Sequence, residues 1–479
     1  MKKTIREYLG NFKNILKLII LSNLLFLVIY KIYLHSFLFH IISGKEDIVD
    51  IEYYTAIFNN LEYAIIIVTI LIFLILISYK RLKIIFNQSN RKILFICIGS
   101  TIVIQLTLLF ILTPEPISDS KHHIDNANLL YETGTYVNSA GNPTAFWTVG
   151  LPAYLVFLKS FCKDFILTAK LINILLSIGL IISCYFVFKN YLTPRALNVF
   201  LIIFTFFPNN LFSSNIILTD YPFAFFLWAS IMIMFVIRNK PSIWLSVLMG
   251  VFCALASYLR PIGITLTFIF TAILFLKNYS NGRINSLIML TVFLSIMLPW
   301  GIRNFNVFHS IVPVSTNGGY IFLMGNHKNS SGGVNFNFEY NFMNPNEADE
   351  SRKAYSRTFR DILNNPMQSL IRLPKKILHT YYRGDSSITW GFKKTEENLP
   401  ALLKSIIFYL TNLMFYIIIL LNIYIILLRR KEINFKKYTE LIVLSIYILL
   451  IIIVFVGSER YHIPLFPIHI FLVAKYFEA

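Results

Sequence analysis

The chain is poor in charge and in cysteine, and each shortage argues against a class of protein. Asp, Glu, Lys and Arg make up 14% of its 479 residues, whereas soluble globular domains carry about 25%. The four cysteines lie in or beside apolar runs and lack metal-ligand spacing, so neither a disulfide framework nor a zinc site is expected. The apolar runs are continuous and do not alternate, which argues against a transmembrane β-barrel.

The chain is instead rich in long hydrophobic runs. Apolar residues make up 56% of it, and runs of about 16–25 residues can cross a bilayer core of roughly 30 Å. The sequence therefore predicts an all-α polytopic membrane protein with about twelve transmembrane helices. We place these spans at about 14–34, 61–79, 92–113, 165–188, 196–212, 215–237, 242–258, 262–277, 285–300, 401–428, 438–456 and 463–477.

The formal charge of +19 is concentrated in short loops that follow alternate spans, at 80–92, 189–195, 238–240, 277–283 and 429–437. Because basic loops stay on the cytoplasmic side, this pattern predicts that both termini lie inside. No basic groove with interleaved aromatic residues is visible, so nucleic acid is not an expected partner. Lys-, Ile- and Asn-rich usage is typical of an AT-rich bacterial genome, and we expect a multi-pass protein of a bacterial cytoplasmic membrane.

The N-terminal stretch MKKTIREYLGNFKN is basic, and the apolar run behind it lacks a small-residue cleavage site. This pattern indicates an uncleaved first helix. We divide the chain into two additional N-terminal helices (1–91), a membrane core (92–300) with a large external loop (114–164), an external cap segment (301–400) and C-terminal helices (401–479). Residues 147–161, interrupted by Gly150 and Pro152, are typical of short interfacial helices.

Several unusual polar residues fall on the outer side under this topology. Charges near a bilayer are expensive, so a cluster of them on one side is a hypothesis for a functional site. These residues are Asp119, Asp125, Asp220, Arg260, Arg303, Glu459, Arg460 and His462.

Six blocks of sequence carry a family resemblance, in the family's own order. They are SDSKHHIDNANLLYETGTYVNSAGNPTAFWTVGLPAYLVFL (118–158), NIILTDYPFAFFL (215–227), SYLRPIG (257–263), PWGIRNFNVF (299–308), VPVSTNGGYIFLMGNH (312–327) and GSERYHIPLFP (457–467). Together they resemble the C-type superfamily of membrane glycosyltransferases. Within it, they resemble the bacterial branch of family 39, which includes protein O-mannosyltransferases and the lipid A aminoarabinose transferase.

The resemblance implies a glycosyltransferase that takes a sugar from a polyprenyl-phosphate carrier. The acceptor would be an envelope glycan, lipid or protein outside the cytoplasmic membrane, and the reaction a single inverting displacement. Asp119 matches the family's acid in the first large external loop, which implies the role of base. Asp220 matches its second acidic position and would orient or contact a substrate. Both acids are also suited to capping the helix that follows them.

The same resemblance implies that basic residues hold the carrier phosphate. Arginine suits phosphate through its planar fork, so we expect Arg260, Arg303 and Arg460 to bind substrate, together with Tyr461, His462 and Glu459. The alternative to substrate binding is that the arginines extend to lipid headgroups. Glu459 would in that case simply form an ion pair with Arg460 or with a neighbour. Many relatives carry a basic residue before a Pro-Pro step that this chain lacks, and Lys121 or Lys159 is expected to replace it.

Three points stay open at the level of sequence. The pair His122–His123 would suit a divalent metal, although no metal is required. The turn region STNGGY (315–320) would bring backbone N–H groups to a phosphate or a sugar, or would serve only as a loop. A transporter or flippase of lipid-linked sugars and a catalytically inactive relative are the alternative functions. A transporter would be expected to have inverted repeats and charges near the membrane midplane. The charges of this chain lie instead at the expected outer ends of the spans.

Overall fold

The computed structural model describes residues 12–31, 48–276, 281–336, 338–342, 344, 346–392, 399–428 and 437–476. These residues are mostly α-helical, and they contain two isolated β-bridges but no strand. Several predictions fall outside this part of the chain: the basic segment before residue 12, residues 32–34 of the first span, and most of the basic loops 277–283 and 429–437.

Among the described residues, four helices lie before residue 90, and ten form the central membrane region. The first four are α1 (Phe12–Ile29), α2 (Ile48–Asn59), α3 (Leu61–Ile77) and α4 (Tyr79–Phe86). The next ten are α5 (Asn90–Ile111), α6 (Ser118–Thr133), α7 (Gly150–Phe161), α8 (Phe165–Phe188), α9 (Pro194–Phe206), α10 (Pro208–Phe212), α11 (Asp220–Asn239), α12 (Ile243–Leu259), α13 (Ile262–Leu276) and α14 (Gly282–Phe308).

The described part of the expected cap segment contains four helices, and three more lie in the described residues after 400. The cap helices are α15 (Gly318–Asn326), α16 (Glu347–Asn364), α17 (Pro366–Tyr381) and α18 (Ser386–Phe392). The last three are α19 (Ala401–Leu428), α20 (Thr439–Val454) and α21 (Phe466–Tyr476).

The chain is a multi-pass membrane protein. Within the described ranges, five helices are long and apolar enough to cross a membrane, namely α5, α8, α11, α14 and α19, or up to seven if each of two bent helix pairs is one span. The bends are 54° between α2 and α3 and 52° between α9 and the helical residues that follow it. The other expected spans coincide with shorter apolar helices, and the count of twelve stays a prediction.

Two elements differ in detail from the sequence pattern. Helix α14 continues past the expected end at 300 to Phe308, although Pro299 lies inside it. The indole of Trp300 donates to the Val314 carbonyl at 2.8 Å and holds the extra turns against the following loop. The apolar stretch 147–161 forms one helix that begins at Gly150, because Pro152 lies in the first turn, where its missing N–H costs nothing.

The main core lies among α8, α9, α11, α12 and α21. Trp228 of α11 is fully buried there, and its indole N–H donates to the Pro464 carbonyl at 3.0 Å. This bond ties the start of the last helical segment to α11. It therefore fixes the loop 457–462 close to the first turn of α11.

A buried lysine holds the cap segment to the C-terminal helices. Lys376 of α17 is 0% exposed, and its Nζ donates to Asn326 Oδ1 at 2.7 Å, to the Ile453 carbonyl at 2.8 Å and to the Val454 carbonyl at 3.1 Å. The two carbonyls belong to the last turn of α20, which has no intrahelical donors for them. Burial lowers the pKa of Lys376 to about 7.

Replacing Lys376 by methionine should destabilise the protein by roughly 1–3 kcal/mol, because the Asn326 amide oxygen and the Ile453 carbonyl lose this donor and the Val454 carbonyl keeps only Asn326 Nδ2. The measurement is thermal unfolding of the purified protein in detergent. Lys375→Met is the matched control, since Lys375 is exposed on the same helix. Equal midpoints for the two variants would contradict a structural role of the Lys376 amine.

Candidate active site

Asp119 lies in the first turn of α6, at the start of the large external loop. Its carboxylate does not cap the helix, because the N-cap position is Ile117 and no side-chain cap bond forms. Asp119 Oδ2 instead accepts a hydrogen bond from Arg460 Nη1 at 2.5 Å, and 26% of the Asp119 side chain is exposed. The preceding Ser118 has φ 44°, an unusual left-handed conformation for serine.

Asp220 is the first residue of α11, and it too leaves the helix end uncapped by its side chain. Asp220 Oδ2 accepts from Arg460 Nη2 at 2.6 Å and from Arg460 Nε at 3.0 Å, while Oδ1 accepts from Arg260 Nη2. Only 4% of the Asp220 side chain is exposed. Both acids therefore form ion pairs with arginine, and neither side chain caps a helix.

Arg460 bridges the two carboxylates with opposite parts of one guanidinium. A planar fork with several N–H donors makes this bridge, which a lysine ammonium would not reproduce. Asp119, Asp220, Arg260 and Arg460 come from four separate parts of the chain and form one network. Two negative and two positive charges balance within it.

The network fixes the charge of Asp119. Burial acts to raise the pKa of the Asp119 carboxyl, but the adjacent Arg460 guanidinium outweighs burial and holds that pKa below its ordinary value. Burial likewise opposes the charge of Arg460, and its pKa is nevertheless raised by Asp220 and Asp119. Asp119 is therefore a carboxylate at neutral pH.

Aromatic rings and hydroxyl groups surround the network. The Arg460 guanidinium lies 5.2 Å from the Trp390 ring centroid, and that of Arg260 lies 5.5 Å from the Tyr461 ring centroid; such contacts stabilise a cation. A small cleft opens beside Asp220 and Arg460. It is also lined by Ser213, Ile216, Leu218, Tyr221, Ser386, Ser387, Trp390 and Ile463.

Glu459 points to a different arginine from the one next to it in sequence. Its Oε1 accepts from Arg383 Nη2 at 2.8 Å. Arg383 also donates to the Tyr54 hydroxyl at 2.5 Å and lies 3.7 Å from Asp385 Oδ1. Sequence reasoning missed Arg383 and Asp385, although the charged triplet Arg-Gly-Asp before the C-terminal spans was a usable signal.

Arg303 does not join the carboxylates. Its Nη1 donates to the Thr144 carbonyl at 2.8 Å and its Nη2 to the Tyr136 carbonyl at 2.7 Å, with the guanidinium 4.8 Å from the Trp300 ring centroid. Its main donors thus hold the backbone of the external loop.

Glu347, which sequence reasoning also missed, fixes the same loop from the cap side. It is 8% exposed and accepts from the Thr144 hydroxyl at 2.5 Å, from the Ala145 N–H at 2.9 Å and from the Thr316 hydroxyl at 2.9 Å. Part of the stretch 315–320 therefore joins the cap segment to the external loop. The last residues of the stretch, Gly318–Tyr320, belong to α15.

The remaining expected residues lie around the network in different settings. His462 is buried, with Nδ1 3.2 Å from the Thr380 carbonyl, whereas Lys121 and Asp125 are exposed. Lys159 donates to Asn128 Oδ1 at 2.7 Å. Tyr461 is half-buried beside Arg260.

The histidine pair packs on an aromatic ring. His122 stacks on Trp147 with centroids 5.3 Å apart, and His123 meets the same ring edge-on at 5.4 Å. Burial lowers the pKa of His123 to about 4, so it is neutral. Within the described ranges, no three His, Cys, Asp or Glu side chains group as metal ligands.

No protein-family model and no curated protein matches the chain. Among solved structures, it is similar to the archaeal oligosaccharyltransferase AglB from Archaeoglobus fulgidus, solved with an inhibitory peptide and a dolichol-phosphate. The TM-score is 0.45 at 12% identity, over 81% of this chain and 50% of AglB. The chain thus spans about half the length of AglB.

The chain is also similar to ArnT from Cupriavidus metallidurans in two structures. For ArnT bound to undecaprenyl phosphate, the TM-score is 0.37 at 13% identity, over 80% of this chain and 75% of ArnT. For ArnT in the apo state, the TM-score is 0.36 at 12% identity, over 80% of this chain and 74% of ArnT. Since all three TM-scores are below 0.5, the role of the site is argued from its side chains.

Removing the carboxylate of Asp220 should destabilise the protein more than removing that of Asp119. Asp220→Asn leaves Arg260 without its carboxylate and Arg460 with Asp119 alone at a nearly dry position, which costs about 3–5 kcal/mol, whereas Asp119 is more exposed and makes one of the bonds to Arg460. Thermal unfolding in detergent measures the loss of stability in both variants. Glu132→Gln, at an exposed position on α6, is the control. A larger loss in Asp119→Asn would contradict this order.

Proposed function

We propose that the protein is a glycosyltransferase that moves a sugar from a polyprenyl-phosphate carrier to an envelope glycan, lipid or protein. The observation that carries the proposal is the Arg460 bridge, which sets a partly exposed, ionised carboxylate beside a buried one. A base and a cationic phosphate site are the two parts that this transfer requires. The bridge brings both parts together.

Asp119 is the base in this proposal. Its Oδ2 is bonded to Arg460, whereas its Oδ1 has, among the described residues, only the Ser118 hydroxyl at 3.4 Å. Oδ1 is therefore free to accept the proton of an acceptor hydroxyl. The acceptor oxygen bonds to the anomeric carbon on one side as the carbon–phosphate oxygen bond breaks on the other, so the configuration inverts.

Arg460 and Arg260 receive the leaving phosphate. Both guanidinium groups are mostly buried, with 14% and 13% of their side chains exposed, and both are aimed by the carboxylate of Asp220. Their charge stabilises the anion of the departing polyprenyl phosphate. Asp220 in this proposal orients the arginines and does not take the proton.

Donor binding also raises the basicity of Asp119. In the structure Arg460 depresses the pKa of this carboxyl, which makes it a weak base. A phosphate that shares the guanidinium of Arg460 draws its charge away from Asp119, and the carboxylate becomes a stronger base only when the donor is present. Transfer to the acceptor is thereby coupled to an occupied donor site.

The proposed site faces the outside of a bacterial cytoplasmic membrane, with both termini inside. The basic short loops of the sequence support this orientation. The polyprenyl tail would lie against the apolar helices while its phosphate reaches the arginines. Transport of lipid-linked sugars and an inactive relative are the alternatives that the next experiment separates.

Asp119→Asn should lower sugar transfer by about 10²–10⁴-fold, since an amide cannot accept the proton. The assay uses proteoliposomes supplied with a panel of labelled polyprenyl-phosphate sugars, with Glu132→Gln as matched control. Equal transfer by Asp119→Asn and wild type would overturn the base assignment. Movement of labelled lipid across the bilayer without transfer, by wild type and Asp119→Asn alike, would favour a flippase.

The pH profile of transfer should respond to Arg460. A carboxyl with a lowered pKa stays ionised at lower pH, so the acid limb of wild-type transfer at low donor concentration, which reports the free enzyme, should lie below the ordinary range of an aspartate. In Arg460→Gln, burial raises the pKa of Asp119 without the opposing cation, and the acid limb of the residual activity should move to higher pH. An unchanged acid limb would show that Asp119 is not the titrating base.

A further inference from the structure

Helix α17 turns three polar residues inward and most of its large apolar residues outward. Arg372, Lys376 and Thr380 recur every fourth residue and are 5%, 0% and 0% exposed. At 100° per residue these three share one face of the helix. The opposite face carries large exposed apolar side chains: Met367 (68%), Leu370 (60%), Ile371 (51%), Ile377 (36%) and Leu378 (67%).

Hydrogen bonds fix this orientation. Arg372 Nη1 donates to the Asn326 carbonyl and Nη2 to the Lys328 carbonyl, both at 2.8 Å, in addition to the three bonds of the Lys376 amine. Rotating α17 to hide its apolar face would leave these buried donors and acceptors unpaired, which is costly. The outward apolar stripe is therefore a built feature of the fold.

The position of α17 is tied to a membrane helix. The Lys376 amine bonds the carbonyls of Ile453 and Val454, at the C-terminal end of α20. Helix α20 is apolar and exposes Ile446 (53%), Leu450 (52%) and Val454 (46%). The end of a lipid-facing helix marks the border of the hydrocarbon region, so α17 lies at that border.

We infer that α17 is an interfacial helix whose apolar stripe, Met367–Leu378, rests in the outer leaflet beside α20. An amphipathic helix in the interface plane buries its apolar face in the boundary between headgroups and acyl chains. Lys375 is exposed at the flank of the stripe, where its amine reaches lipid phosphates. The partner of this surface is the bilayer itself, and the inference does not depend on the proposed enzyme activity.

Spin labelling of the full chain in liposomes tests the inference. Leu370→Cys and Leu378→Cys carry the label, and Asn329→Cys, an exposed loop position, is the aqueous control. The background is Cys162→Ser, since the other three cysteines are buried. Power saturation then compares collision with lipid-soluble oxygen and with a water-soluble nickel chelate.

The expected result is a several-fold higher ratio of oxygen to nickel collisions at Leu370 and Leu378 than at Asn329. Nickel collisions at Leu370 equal to those at Asn329 would place the stripe in water and overturn the inference. Low collision rates with both reagents would show that a protein surface covers the stripe, which also overturns it. An Ile371→Cys label provides a second variant should Leu370→Cys fail to fold.

Discussion

The guanidinium of Arg460 needs two carboxylates, and much of the structure serves to keep all three in place. An arginine with 14% of its side chain exposed is stable only where its donors are satisfied. Its partners begin two helices, α6 and α11, that are more than a hundred residues apart in sequence. The Trp228–Pro464 bond holds the Arg460 loop against α11, and the Arg383–Glu459 pair holds the residue next to Arg460. The site is thus a consequence of tertiary packing rather than of one motif.

Charge balance gives this network its chemical character. With two acids and two arginines, the charges of the network balance. In the proposed function, an arriving phosphate would compete with Asp119 and Asp220 for the same donors. The ion pairs of the network are therefore the ones that the proposed donor would rearrange.

The sequence predicts the helices and the set of charged residues that cluster better than it predicts which side chains pair with each other. Apolar length marks the membrane helices, and charges at their expected outer ends single out Asp119, Asp220, Arg260 and Arg460, which the structure brings together. The same reasoning cannot tell Arg460 from Arg303, because which arginine meets which acid depends on contacts between distant segments. Glu347 and Arg383 were missed for this reason: their partners Ala145 and Glu459 lie far away in the chain. Periodicity shows that α17 is amphipathic but cannot show that its polar face is the buried one.

The cap segment follows the physical rules of a membrane protein more than those of a water-soluble domain. Its charged side chains Glu347, Lys376 and Arg383 are buried in hydrogen bonds with the membrane helices and the external loop, while α17 exposes its apolar stripe. Such an arrangement is stable where one side meets lipid and the other meets a polar interior. The proposed donor, with a charged head and a lipid tail, would be held at the same border between hydrocarbon and water that we infer for α17. The proposed function and the inferred position of α17 therefore both require a site close to the membrane surface.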